Sequence, residues 1–185
     1  MAYKINKAAT NKETLQEAAV NYHTTPSNIS IAIPLNGFGE TNYIQRSVAM
    51  LGAATIKPFS QVQSNADFIS CIRAGLPRKA LDVLMKFTGI TIDEITGIIR
   101  TSDRTLRRYT PQQKLNAEQT ERLIEIAKLY SRGEEVFGSL DAFKEWMNSS
   151  VMALGNKKPK AFLDTSLGID ILMNELGRIE HGIFA

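Results

Sequence analysis

From Pro58 onward, apolar residues recur at three- and four-residue spacing in short stretches, most of which open on a capping residue or proline and close on glycine. A strand needs alternation with period two, whereas this spacing lines one face of a 3.6-residue helix. The predicted fold class is therefore mainly α, in many short helices. Phe68, Ile69 and Ile72 form the first such face, with Asn65 as cap and Gly75 as stop. Pro77 starts the next helix, where a first-turn proline loses no hydrogen bond. Ala80, Leu81, Leu84 and Met85 give that helix a buried stripe, and Gly89 ends it. Thr91-Ile92-Asp93-Glu94 is a capping box: the Thr91 hydroxyl accepts the Glu94 N–H while the Glu94 carboxylate reaches back. Ile95, Ile98 and Ile99 face the core. After the tight break Arg100-Thr101-Ser102, a cap at Ser102 or Asp103 opens a short basic helix to about Tyr109, with Leu106 as its one strong core residue.

The second half continues in the same way. Asn116 caps a helix whose Leu123, Ile126, Ala127 and Tyr130 face inward, with closure expected at Gly133. Ser139 caps a helix carrying Leu140, Phe143, Trp146 and Met147, and Trp146 is expected to be largely buried. Pro159 starts a short helix through Phe162, and Thr165 or Ser166 starts the last one. That helix turns Ile169, Leu172, Leu176 and Ile179 inward and stops at Gly182. Upstream of Pro58, a helix over 11–21 and another from Tyr43 to Leu51 fit the spacing. Ile29, Ile31 and Ile33 alternate with Ser30 and Ala32, which suits a short extended arm or a mobile tail.

With 43% apolar residues, the 185-residue chain can build a packed core. No apolar run approaches the roughly 18–20 residues of a membrane span, and the first residues lack the apolar centre of a signal peptide. The expected compartment is the cytoplasm, with no membrane partner. Cys71 is the lone cysteine, so no internal disulfide is expected, and no metal site either. Charge is unevenly spread. Residues 73–114 hold nine Lys/Arg against four Asp/Glu, while residues 115–185 hold eight against eleven. A basic middle beside an acidic end suits two jobs, the first with a polyanion.

Catalytic signatures are missing. His23 and His181 are far apart, and neither a phosphate-binding Gly-Lys-Ser/Thr loop nor a Gly-x-Gly-x-x-Gly or Gly-x-Ser-x-Gly turn is present. The expectation is a binding protein without cofactor, not an enzyme. The strongest local signal is Thr91–Tyr109, two short helices joined by a tight turn with the second basic, the helix-turn-helix plan. Its second helix would enter the major groove, offering Asp103, Arg104, Thr105, Arg107 and Arg108, with Ser102 at a phosphate. The competing reading is an αα-hairpin with a solvated basic face.

From Gly75 onward the chain resembles the Xre/MbcA/ParS family of type II antitoxins. The words that carry the likeness are Gly75-Leu76-Pro77, Arg104-Thr105-Leu106-Arg107-Arg108, and Leu115-Asn116-Ala117-Glu118-Gln119-Thr120-Glu121-Arg122-Leu123. They continue with Val136-Phe137-Gly138, Trp146-Met147, Ala153-Leu154-Gly155, Lys158-Pro159, Leu163-Asp164-Thr165 and Gly168. The last is Leu176-Gly177-Arg178-Ile179-Glu180-His181-Gly182. The resemblance implies an antitoxin with an Xre-like helix-turn-helix domain that binds operator DNA and represses its own operon. A small helical toxin-binding domain would follow, its end obstructing a RES-domain toxin. Such toxins use NAD, so NAD chemistry would belong to the partner. Carried onto this chain, the toxin-facing residues are Arg178, Ile179, Glu180, Gly182, Ile183, Phe184 and Ala185. An apolar Ile183-Phe184 after a glycine stop suits a pocket plug; the other reading folds it back onto its own core. The expected division is a 1–50 extension, a 51–114 helix-turn-helix domain and a 115–185 toxin-binding domain, in a homodimer within a larger complex. Two alternatives are a DNA-binding regulator without toxin and a toxin neutraliser whose helix-turn-helix is a dimerisation scaffold. Two positions depart from the helix-turn-helix pattern. Thr96 stands where a small residue is usual and Arg100 where glycine begins the turn, so a turn of altered shape is expected.

Overall fold

The computed structural model describes residues 40–182. The helix expected over 11–21, the extended stretch at Ile29–Ile33 and the residues Ile183, Phe184 and Ala185 lie outside the described residues. Within them are eight α-helices: α1 (Glu40–Met50), α2 (Phe68–Ala74), α3 (Arg78–Thr88), α4 (Ile92–Ile98), α5 (Asp103–Arg108), α6 (Ala117–Phe137), α7 (Leu140–Asn148) and α8 (Ser166–Glu180). Short 3₁₀ turns sit at Phe59–Gln61, Asn65–Asp67, Met152–Leu154 and Pro159–Phe162. The described residues contain no strand, only two isolated bridges, Pro77 with Lys114 and Val151 with Lys157. The mainly α, multi-helix fold expected from the periodicity is the one observed. None of these helices is long and apolar enough to cross a membrane.

The helices begin where the caps lie. Thr91 and Glu94 form the expected capping box, Asn116 and Gln119 form another, and Ser102, Ser139 and Thr165 each accept an N–H of the first turn. Each such cap satisfies a donor that the helix cannot, worth about 1 kcal/mol. The start of α2 differs from expectation. Ser64 and Asp67, not Asn65, make the capping pair around a 3₁₀ turn that leads into it.

α6 is the centre of the fold, touching α1, α2, α3, α7 and α8. Its buried residues include Leu123, Ile124, Ile126, Ala127, Leu129 and Tyr130, which lie on more than the single stripe expected. Neighbours on several sides explain this: a helix surrounded by others buries most of its circumference. Across the α1 contact, Arg46 and Glu134 form a buried ion pair, and the Ser131 hydroxyl donates to the Tyr43 carbonyl at 3.0 Å. Such a pair contributes little net stability, but losing one partner would strand a buried charge.

Three local expectations are corrected. Gly133 does not close α6, which runs on to Phe137 and stops at left-handed Gly138 (φ 75°). Gly133 is instead a packing site, because a Cβ there would lie 2.4 Å from the Phe143 ring. Trp146 is half-buried, stacked on Phe143 with centroids 5.6 Å apart, whereas Phe143 itself and the neighbouring Tyr130 are fully buried. Ile69 is 51% exposed rather than part of the α2 core face, which Phe68 and Cys71 supply.

Candidate nucleic-acid interface and partner-facing end

α4 and α5 are joined by Ile99–Ser102. Arg100 adopts a left-handed backbone, φ 50°. The turn therefore keeps the conformation that glycine usually supplies, correcting the altered shape expected there. The adjoining Thr101 N–H bonds to the Thr96 carbonyl at 3.0 Å. Thr96 is buried and its hydroxyl donates to the Asp93 carbonyl at 2.9 Å. A polar side chain at the crossing is thus satisfied within its own helix, and its desolvation is offset. Leu106 is buried in the core that holds Ile95 and Ile99, which fixes the second helix on the first.

On the outward side, Ser102, Arg104, Thr105, Arg107 and Arg108 are exposed and Asp103 is half-buried. Ser102 Oγ accepts the Thr105 N–H at 3.1 Å and lies 2.8 Å from Thr105 Oγ1. Arg107 Nε donates to Asp103 Oδ2 at 2.7 Å. Arg104 and Arg108 make no ion pair among the described residues, so their guanidinium groups remain available to a polyanion. The basic count of this region overstates what is available. Arg78 pairs with Asp82 at 3.2 Å, Arg100 with Glu118 at 3.6 Å, and Lys114 Nζ donates to the Ala74 carbonyl at 2.7 Å.

Sequence spacing did not reveal Lys160, whose Nζ bridges both carboxylate oxygens of Glu94 at 2.9 and 3.1 Å. This contact ties the Pro159–Phe162 turn to the start of α4. Burial opposes ionisation of Glu94, but the Thr91 N–H and Lys160 outweigh it and hold the carboxyl below the usual range.

At the C-terminal end of the described residues, α8 closes at His181 and Gly182, the latter left-handed at φ 66°. Glu180 is held within the chain by Arg132, which also binds Glu135 at 2.5 Å. Arg178 faces Glu175 at 3.6 Å, and Ile179 is half-buried. Beside this cluster, burial pushes the Tyr43 hydroxyl up to about 12, with Arg132 opposing and Glu135 assisting. Apolar residues the periodicity did not single out stand in water elsewhere: Leu167 and Ile171, one turn apart in the first half of α8, and Met152, 81% exposed. Within the described residues, no cluster of three or more His, Cys, Asp or Glu is placed to hold a metal.

A capped two-helix unit with an exposed basic second helix, followed by a larger helical segment, has the plan of a helix-turn-helix domain with a C-terminal helical domain. Comparison with known proteins makes this specific. The antitoxin Xre-like helix-turn-helix domain matches residues 67–128, and the antitoxin Xre/MbcA/ParS C-terminal toxin-binding domain matches residues 132–182. An Antitoxin Xre from Photorhabdus laumondii subsp. laumondii is 29% identical over 114 residues, covering 60% of this chain and 77% of that protein. An Antitoxin Xre from Yersinia enterocolitica serotype O:8 is 27% identical over 120 residues, covering 63% of this chain and 80% of that protein. The chain belongs to the Xre-type antitoxins, with a helix-turn-helix and a C-terminal toxin-binding domain.

Proposed function

We propose that this antitoxin neutralises a RES-type, NAD-consuming toxin and represses its own operon, acting by binding rather than catalysis. Operator DNA would be read by Arg104, Thr105, Arg107 and Arg108, with Ser102 and Asp103 at the start of the reading helix. Arg178, Ile179, Glu180, Gly182, Ile183, Phe184 and Ala185 would face the toxin, and Ile183 and Phe184 would fill its cleft. The active form would be a homodimer inside a larger complex, with residues 51–114 serving DNA, 115–185 the toxin and 1–50 as an extension. The observation that supports the reading is the left-handed backbone at Arg100, where a helix-turn-helix usually has glycine, together with the exposure of Arg104 and Arg108. At the toxin-facing end, support comes from Gly182, which ends α8 directly before an apolar Ile-Phe pair.

One observation favours the alternative in which the two-helix unit is a dimerisation scaffold. Arg107 is committed to Asp103, and Asp93 and Glu94 place two carboxylates on α4. Promoter binding by the full chain separates the two.

Neutralisation is tested by truncation after Gly182. The fold should survive, because Ile169, Leu172 and Leu176 hold α8. Burying one side chain such as Phe184 is worth about 1.5–3 kcal/mol, so toxin affinity should fall roughly ten- to a hundredfold. Growth during toxin co-expression is the readout, with thermal melting as control. Full rescue by the folded truncation would refute the plug.

A further inference from the structure

The first helix of a helix-turn-helix crosses the phosphate backbone while the second enters the groove. In this chain α4 brings Asp93 and Glu94 to that crossing, charges of the wrong sign for phosphates. Lys160 meets Glu94 from the Pro159–Phe162 turn, which lies in the toxin-binding segment rather than in the helix-turn-helix. With its side chain only 17% exposed, Lys160 compensates Glu94 and is spent in doing so. Lys157 and Lys158, immediately before that turn, are exposed and make no ion pair among the described residues. Their backbone is fixed. The Lys157 carbonyl accepts the Val151 N–H at 3.1 Å, and Pro159 is buried. Two residues of chain span at most about 7 Å and three about 11 Å, so the Cα atoms of Lys158 and Lys157 lie within those distances of the Lys160 Cα, whose side chain meets the start of α4.

We propose that Lys157 and Lys158, within the toxin-binding domain, contact the phosphate backbone of duplex DNA beside α4, extending the DNA footprint beyond the helix-turn-helix. This inference rests on the helix-turn-helix reading above. A phosphate contact carries no sequence information but releases counterions, which makes it separable from base reading by its salt dependence.

The test uses the full-length chain and two labelled duplexes of equal length, one from upstream of its own gene and one scrambled. Anisotropy across a salt series gives the slope of log K against log salt. Lys157→Gln plus Lys158→Gln should make that slope shallower by about 0.9 for each lysine, equally on both duplexes. Either single variant should give half the change, and thermal melting should not move. Arg104→Ala is the reference and should reduce preference for the chain's own duplex. An unchanged slope in the lysine variant overturns the proposal, and if toxin affinity drops at the same time, the lysines face an acidic surface of the toxin. Normal behaviour of Arg104→Ala alongside that unchanged slope would leave the helix-turn-helix reading standing. Absence of salt-dependent binding by the unaltered chain would remove both.

Discussion

At the scale of single residues, Gly133 and Phe143 form a contact with little tolerance for change. The Phe143 ring lies where a Cβ on Gly133 would be, 2.4 Å away, and it also meets Tyr130 edge-on with centroids 5.1 Å apart. Glycine inside a helix ordinarily costs about 1 kcal/mol against alanine. Overpacking a closed core costs about 1–3 kcal/mol, and the fully buried ring has little room to retreat. The clash wins, so Gly133→Ala should destabilise by roughly 1–2 kcal/mol despite its better helix propensity. Denaturant melts would check this, and a stabilised variant would show that α7 can shift.

At the scale of the element, the arginines of α5 are not equivalent. Arg107 shares its charge with Asp103 through Nε, whereas Arg104 and Arg108 make no ion pair among the described residues. Arg104→Ala and Arg108→Ala should each weaken promoter binding more than Arg107→Ala. A base contact among them would cost about 1–3 kcal/mol and relax specificity at one position. Titration of each folded variant against the promoter duplex ranks them, and a dominant Arg107 would reverse the assignment. The capping box of α4 carries a pH signature. Glu94 is held below the usual carboxyl range in the folded protein, so its contribution is complete above that range and is lost as pH falls through the folded value. The side chain is 40% exposed, which keeps the effect small. Glu94→Gln should flatten the acid limb of stability against pH while leaving the neutral region close to unchanged in slope. An acid limb as steep as before would place the titration elsewhere.

For the whole molecule, α6 decides how the two functions are linked. The segments matched by the two families, 67–128 and 132–182, both draw on this one helix. Phe143→Ala should cost about 3–5 kcal/mol, a large part of a typical domain's stability. Damage entering through α7 should therefore reach α6 and weaken DNA binding along with toxin binding. Parallel loss of both in a melt followed by duplex and toxin titrations is the expected outcome. Retention of promoter binding after α7 has melted would mean that the two segments unfold separately.

Much of this was readable from the amino-acid sequence, because helix periodicity, caps and stops are local properties. The capping box at Thr91, the caps at Asn116 and Ser139, the Ile95–Ile99 face and the basic helix around Leu106 depend on residues within one or two turns of each other. Tertiary contact decided the rest. Gly133 read as a stop because glycine usually is one, yet the Phe143 ring uses its missing side chain and the helix continues. Arg100 read as an obstacle, but Leu106, packed in one core with Ile95 and Ile99, holds the turn in a left-handed backbone that arginine alone would avoid. Ile69 read as core until α2 met α6 through Phe68 and Cys71. Lys160 lies 66 positions from Glu94, and no spacing rule pairs residues at that distance. The sequence by itself determined which segments are helical and where most of them begin. Only the tertiary structure decided which charges are paired internally and which stay exposed and unpaired among the described residues, because ion pairing depends on distances that folding alone sets.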